Sequence, residues 1–64
     1  MSMMEKFLYD KLLNKNVELY FGGGPGERLR GKVVGMAEGV LILEYKGRTD
    51  YVNAERIMAA WEIS

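Results

Sequence analysis

The chain contains no cysteine and no histidine. Disulfides, thiolate nucleophiles, the usual zinc sites and imidazole acid–base chemistry are thereby excluded, which leaves few tools for catalysis. Neither sign of charge is in excess: nine Lys plus Arg balance nine Asp plus Glu. Attraction to nucleic acid or to an anionic membrane therefore has to come from a local patch. No apolar run approaches the roughly 18–20 residues that span a bilayer. The first residues alternate apolar with charged side chains, unlike the continuous hydrophobic stretch of a signal peptide. These absences predict a cytoplasmic protein with no membrane partner, no cofactor and no metal.

What is present is an ordinary folded composition, 48% hydrophobic and 28% charged, on 64 residues. That length makes one domain, residues 1–64, whose core supplies only about 3–5 kcal/mol without staples or partner chains. Self-association is therefore a candidate from the outset.

Ser2-Met-Met-Glu5 fits a capping box and predicts a helix start. Met4, Phe7, Leu8 and Leu12 follow at three- and four-residue spacing, among Glu5, Lys6, Asp10 and Lys11. The stripe predicts a helix over about 3–13, closed by an asparagine between Asn14 and Asn16 and packed on the rim of its own domain. A membrane-surface or partner-binding helix is the other reading of the same stripe.

Five strand-like stretches follow over about 16–64. Val17, Leu19 and Phe21 alternate with Glu18 and Tyr20, as in a half-buried strand. Gly22-Gly-Gly-Pro-Gly26 stops it. That loop lacks the Lys-Ser/Thr and helix start of a phosphate-binding loop, so it reads as a hairpin connection. In the long second stretch Arg28, Arg30 and Lys32 face one way and Leu29, Gly31 and Val33 the other. Gly31 and Gly35 inside this strand mark a bend or a close backbone approach. The three cations read as a solvated outer face or as a phosphate-binding stripe.

Met36-Ala-Glu-Gly39 predicts a turn, Val40-Leu-Ile-Leu-Glu-Tyr45 a central strand, and Lys46-Gly47 a tight hairpin into Arg48–Val52. Asn53–Arg56 is a short connection. Ile57, Ala59, Trp61 and Ile63 alternate with Met58, Ala60 and Glu62, which predicts a last strand with the first set inward. Met58-Ala-Ala-Trp61 is also compatible with helix by propensity, but the alternation favours strand. On this register Tyr45, Tyr51 and Trp61 point inward, as core or subunit interface, and Tyr20 points outward. Met58 and Ala60 on the outer face of an edge strand call for cover, by the helix or by another chain.

Gly31, Val33 and the Val40–Leu43 run, followed by Tyr51-Val-Asn-Ala-Glu-Arg-Ile57, resemble the two motifs of the Sm, Lsm and Hfq proteins. The resemblance covers nearly the whole chain. It implies a mainly β fold, an N-terminal helix followed by a strongly bent five-stranded small barrel. It further implies a non-catalytic homo-oligomeric ring, formed by pairing the fourth strand of one chain with the fifth of the next and acting on single-stranded RNA. The two turns depart from the family: Ala37, Glu38 and Gly39 replace its polar and aromatic residues, and neither Lys-His nor Arg-Gly occurs in the second turn. Asn53 and Arg56 can still reach a base or phosphate, while Glu38 and Glu55 repel the RNA backbone.

The expected RNA-binding residues are therefore Asn53, Arg56, Arg28, Arg30, Lys32 and Tyr20, and the expected subunit interface is Tyr51, Val52, Met58, Ala60 and Trp61. The rival expectation is a protein-interaction or scaffold module that keeps the barrel and has lost RNA binding. The spacing of Glu38 and Glu55 specifies no hydrolytic site.

Overall fold

A computed structural model of the chain describes residues 3–24 and 27–63. Helix α1 (Met3–Leu12) precedes five strands: β1 (Asn16–Tyr20), β2 (Arg28–Ala37), β3 (Val40–Tyr45), β4 (Arg48–Asn53) and β5 (Ala59–Glu62). A single 3-10 turn, η1 (Ala54–Arg56), joins the last two strands. The strands form one antiparallel sheet in the order β4-β3-β2-β1-β5. The protein is thus a small, mainly β domain with one short helix.

α1 ends where expected, because Asn14 adopts φ 67° and the Lys15 N–H turns back to the Leu12 carbonyl at 2.9 Å. Leu12 is buried and Leu13 packs against the core, whereas Phe7 is half exposed, so the helix is anchored at its C-terminal end. It touches β2 and η1 of its own chain. The capping box at Ser2 and the side chains of Met4 and Leu8 lie outside the described residues, as do Pro25 and Gly26 of the glycine-rich loop.

β2 organises the sheet by serving two partners in succession. Arg28–Lys32 pair with β1, Lys32–Ala37 pair with β3, and Lys32 is common to both. A register shift between Val33 and Gly35 leaves Val34 without a partner, a bulge of the kind that bends a strand. Where β1 begins, the chain before it ties to the same place: the Asn14 N–H donates to the Val33 carbonyl at 2.7 Å, and the Val33 N–H to the Lys15 carbonyl at 3.0 Å. Gly31, just before this bulge, is closely covered. A Cβ there would stand 3.1 Å from Leu43 Cβ and 3.2 Å from the Glu44 carbonyl oxygen.

β2 runs on to Ala37, so Met36 belongs to the strand and the turn contracts to Glu38-Gly39. Glu38 and Gly39 have φ 50° and 81°, and Lys46 and Gly47 have 48° and 81°. Both are the two-residue hairpin turn whose twist matches that of the strands it joins. Val17, Leu19, Val33, Leu41 and Leu43 are fully buried in one hydrophobic cluster that also holds Leu12, Val52, Ala54 and Ile57.

Two strand registers differ from the sequence expectation. Tyr51 is 71% exposed and its neighbour Val52 is buried, because Val52 pairs with buried Leu41 while Tyr51 pairs with Ile42. In the last strand Ala60 packs on the core opposite Leu19, and Trp61 turns outward opposite Glu18. The alternation fails at its start. Ile57 is buried but precedes the strand, and Met58 and Ala59 both address Tyr20: the Met58 N–H donates to the Tyr20 carbonyl at 2.8 Å, yet Tyr20 pairs in register with Ala59. This extra residue shifts the phase by one, so Ile57 and Ala60, not Ile57 and Trp61, share the inner side. Of the expected interface residues, Val52 is therefore in the core of this chain and half-buried Ala60 packs against it. Tyr45 is half buried.

Candidate nucleic-acid interface

The register of β2, β1 and β5 fixes which side chains share the outer face. Arg28, Tyr20 and Ala59 form one row across the strands, and Arg30, Glu18 and Trp61 the next. Lys32 and Asn16 continue it, with Ile63 held beside them by its N–H to the Asn16 carbonyl at 2.8 Å. Four of the expected binding residues, Tyr20, Arg28, Arg30 and Lys32, thus lie on one surface, and Trp61 joins them.

The three cations are not equivalent. Arg30 bonds the largely covered Glu18 carboxylate at 3.3 Å, and Lys32 has Glu44 as its cross-strand neighbour on β3. Arg28 instead meets rings: its guanidinium carbon lies 5.7 Å from the Tyr20 centroid and 5.9 Å from the Trp61 ring. Tyr20 and Arg28 are directly opposed on β1 and β2, and Trp61 reaches the pair from β5. The result is a partly exposed platform of two aromatic rings and a guanidinium plane. Such groups stack on unpaired bases, and the attached cation can meet a phosphate. Trp61, expected inward as core or subunit interface, joins Arg28 through the pairing of β1 with β5, which no local pattern encodes.

Asn53 and Arg56 lie elsewhere. Asn53 ends β4 and caps η1, its Oδ1 accepting the Glu55 N–H at 3.1 Å. The Ala54 N–H donates to the Gly39 carbonyl at 2.9 Å and so ties η1 to the β2–β3 turn. Between the two turns is an open concavity of about 510 Å³ lined by Glu38, Gly39, Val40, Tyr51, Asn53 and Glu55. Arg56 is exposed and is not part of that lining. Around the concavity Asn53 is accompanied by two carboxylates and an exposed tyrosine. Because the amide oxygen caps η1, Asn53→Ala should lower stability by about 1 kcal/mol in urea unfolding. Asn53→Asp, which restores an accepting oxygen, should recover most of that loss.

Met58, the remaining expected interface residue, is 67% exposed beside the β5 edge. Its Sδ covers Gly22, where a Cβ would approach to 2.6 Å.

Residues 4–63 match the profile of a family described as a domain of unknown function (DUF6897). No curated protein and no solved structure matches the chain.

Proposed function

Because the chain belongs to the DUF6897 family, whose description names no activity, function has to be argued from its own surfaces, and we propose that it is a non-catalytic Sm-like module binding single-stranded RNA as a homo-oligomeric ring. The observation that carries the RNA reading is Arg28 held over both Tyr20 and Trp61 on the outer face. Of the expected RNA-binding residues, this reading rests on Tyr20, Arg28, Arg30 and Lys32 on the face of β1, β2 and β5 and not on Asn53 and Arg56. Ring formation is supported by the sheet order. β4 and β5 lie at its two edges, the strands that the family resemblance pairs between neighbouring chains. Their main-chain groups are then used between copies, and one weak platform is repeated around an axis.

The test is fluorescence anisotropy with a labelled mixed-sequence single-stranded RNA, alongside native mass spectrometry for subunit number. Stacking is worth about 1–3 kcal/mol per base, so Trp61→Ala should weaken binding by roughly 5- to 150-fold with the ring intact. Arg28→Ala should both weaken binding and flatten its salt dependence, since the slope scales with the phosphates neutralised. Asn53→Asp and Arg56→Ala should change little. Absence of RNA binding by the unaltered protein at low salt defeats the RNA reading, and a monomer at all concentrations defeats the ring.

A second reading, a protein-interaction module, is favoured by one observation: the concavity between the turns is lined by two carboxylates and no cation. On the reading adopted here it is a separate surface of the same protein.

A further inference from the structure

We propose that this concavity is a second binding site, which takes the cationic side chain of an arginine or lysine presented by a basic segment of a partner protein. The clue lies in the strand tyrosines. Tyr20 carries the Arg28 guanidinium at 5.7 Å and Tyr45 carries the Lys46 ammonium at 5.4 Å. Tyr51 is the most exposed of the three strand tyrosines, and among the described residues no cation of this chain sits over its ring. The basic residue nearest to it in β4, Arg48, is turned to Asp50 at 3.1 Å. The surroundings of Tyr51 are those a cation requires: Glu38 and Glu55 line the same concavity.

The chemistry is specific in kind. An aromatic face attracts a guanidinium or ammonium through its quadrupole, and a carboxylate accepts a charge-assisted, often bidentate, bond from arginine. The Ala54 N–H bond to the Gly39 carbonyl ties the two acidic turns together, and the Asn53 side-chain Oδ1 accepting the Glu55 N–H holds the second turn, so they are not independent loops. The same carboxylates repel phosphate, which makes this site complementary to the outer face and not an extension of it. The inference does not depend on RNA binding.

The experiment is an amide-shift titration of the isotopically labelled full chain with a synthetic Gly-Arg-Gly-Arg-Gly peptide, with its glutamine counterpart and spermidine as controls. The expected result is saturable shifts at Gly39, Asn53, Ala54 and Glu55 with none at Tyr20 or Trp61. A Glu38→Gln, Glu55→Gln double variant should weaken the peptide by about tenfold or more. Tyr51→Leu should weaken it several-fold, whereas Tyr51→Phe, which keeps the ring, should not. Both acidic positions are exposed, so these variants are expected to fold, and the unshifted amides of the core confirm it in the same spectra. The proposal is overturned by absence of shifts at the turns, or by binding that survives the double variant. Equal occupancy by spermidine would also overturn it, since the site would then read a free polyamine. Oligonucleotide affinity of the double variant, expected to be unchanged or stronger, reports on the other face.

Discussion

Leu43→Ala should leave the chain largely unfolded at low protein concentration. Leu43 is fully buried in β3, between β2 and β4 in the sheet, with Val33 as its β2 partner and Asp50 as its β4 partner. Its truncation removes a side chain that the surrounding strands cannot collapse onto, and such substitutions cost about 3–5 kcal/mol. A single core of this size has only about 3–5 kcal/mol to lose. Circular dichroism with urea at several protein concentrations is the measurement. If self-association contributes to stability, the unfolded fraction should fall as concentration rises. A variant that retains a cooperative urea transition near that of the unaltered chain would mean that the β3 side chains are not the core of the domain.

The second large effect separates two glycines that look alike in sequence. Gly31→Ala should destabilise by roughly 1–3 kcal/mol, because the added methyl would stand 3.1 Å from Leu43 Cβ and 3.2 Å from the Glu44 carbonyl, neither of which is the flexible end of a side chain. Relief requires β3 to shift by a few tenths of an ångström relative to Gly31. Gly35→Ala should be neutral or slightly stabilising, since the nearest atom is Ile42 Cδ1 at an ordinary 3.7 Å and alanine is entropically cheaper to order than glycine. Thermal unfolding of both variants decides the matter. Equal losses would mean that the bend depends on backbone freedom at both positions and not on close approach at Gly31.

Much of this architecture was legible in the sequence because the signals were local. The alternation of Arg28, Arg30 and Lys32 with Leu29, Gly31 and Val33 assigned both faces of β2 correctly, and Asn14 and the glycines of the two hairpins stand where positive φ is required. The phases of β4 and β5 were not legible. Tyr51 and Val52 are adjacent and both suit a buried position, and only the pairing of Leu41 with Val52 decides between them. In β5 the doubled partner of Tyr20 displaces every later residue by one, a main-chain event that no side-chain pattern reports. The candidate site divided along the same line. Tyr20 and Arg28 could be read as outward neighbours of their strands, whereas Trp61 entered the platform only through the β1–β5 pairing. The turn residues Glu38 and Glu55 were recognised as hostile to RNA, but the concavity they share with Tyr51 rests on the bond from Ala54 to Gly39.

The position of β1 between β2 and β5 has a bearing on how the chain is made. Leu19, one of the fully buried side chains, is flanked in the sheet by Leu29 on one side and Ala60 on the other. During synthesis β1 must therefore wait for β5, and until Ala59–Glu62 have left the ribosome β1 presents an unpaired main-chain edge beside the buried Val17 and Leu19. The helix, the β2–β3 hairpin and the β3–β4 hairpin can form from near neighbours in the meantime, but closure over β1 depends on a contact spanning most of the chain, the class that slows folding. Translation that stalls just short of β5 would leave a nascent chain with the β1 edge unpaired.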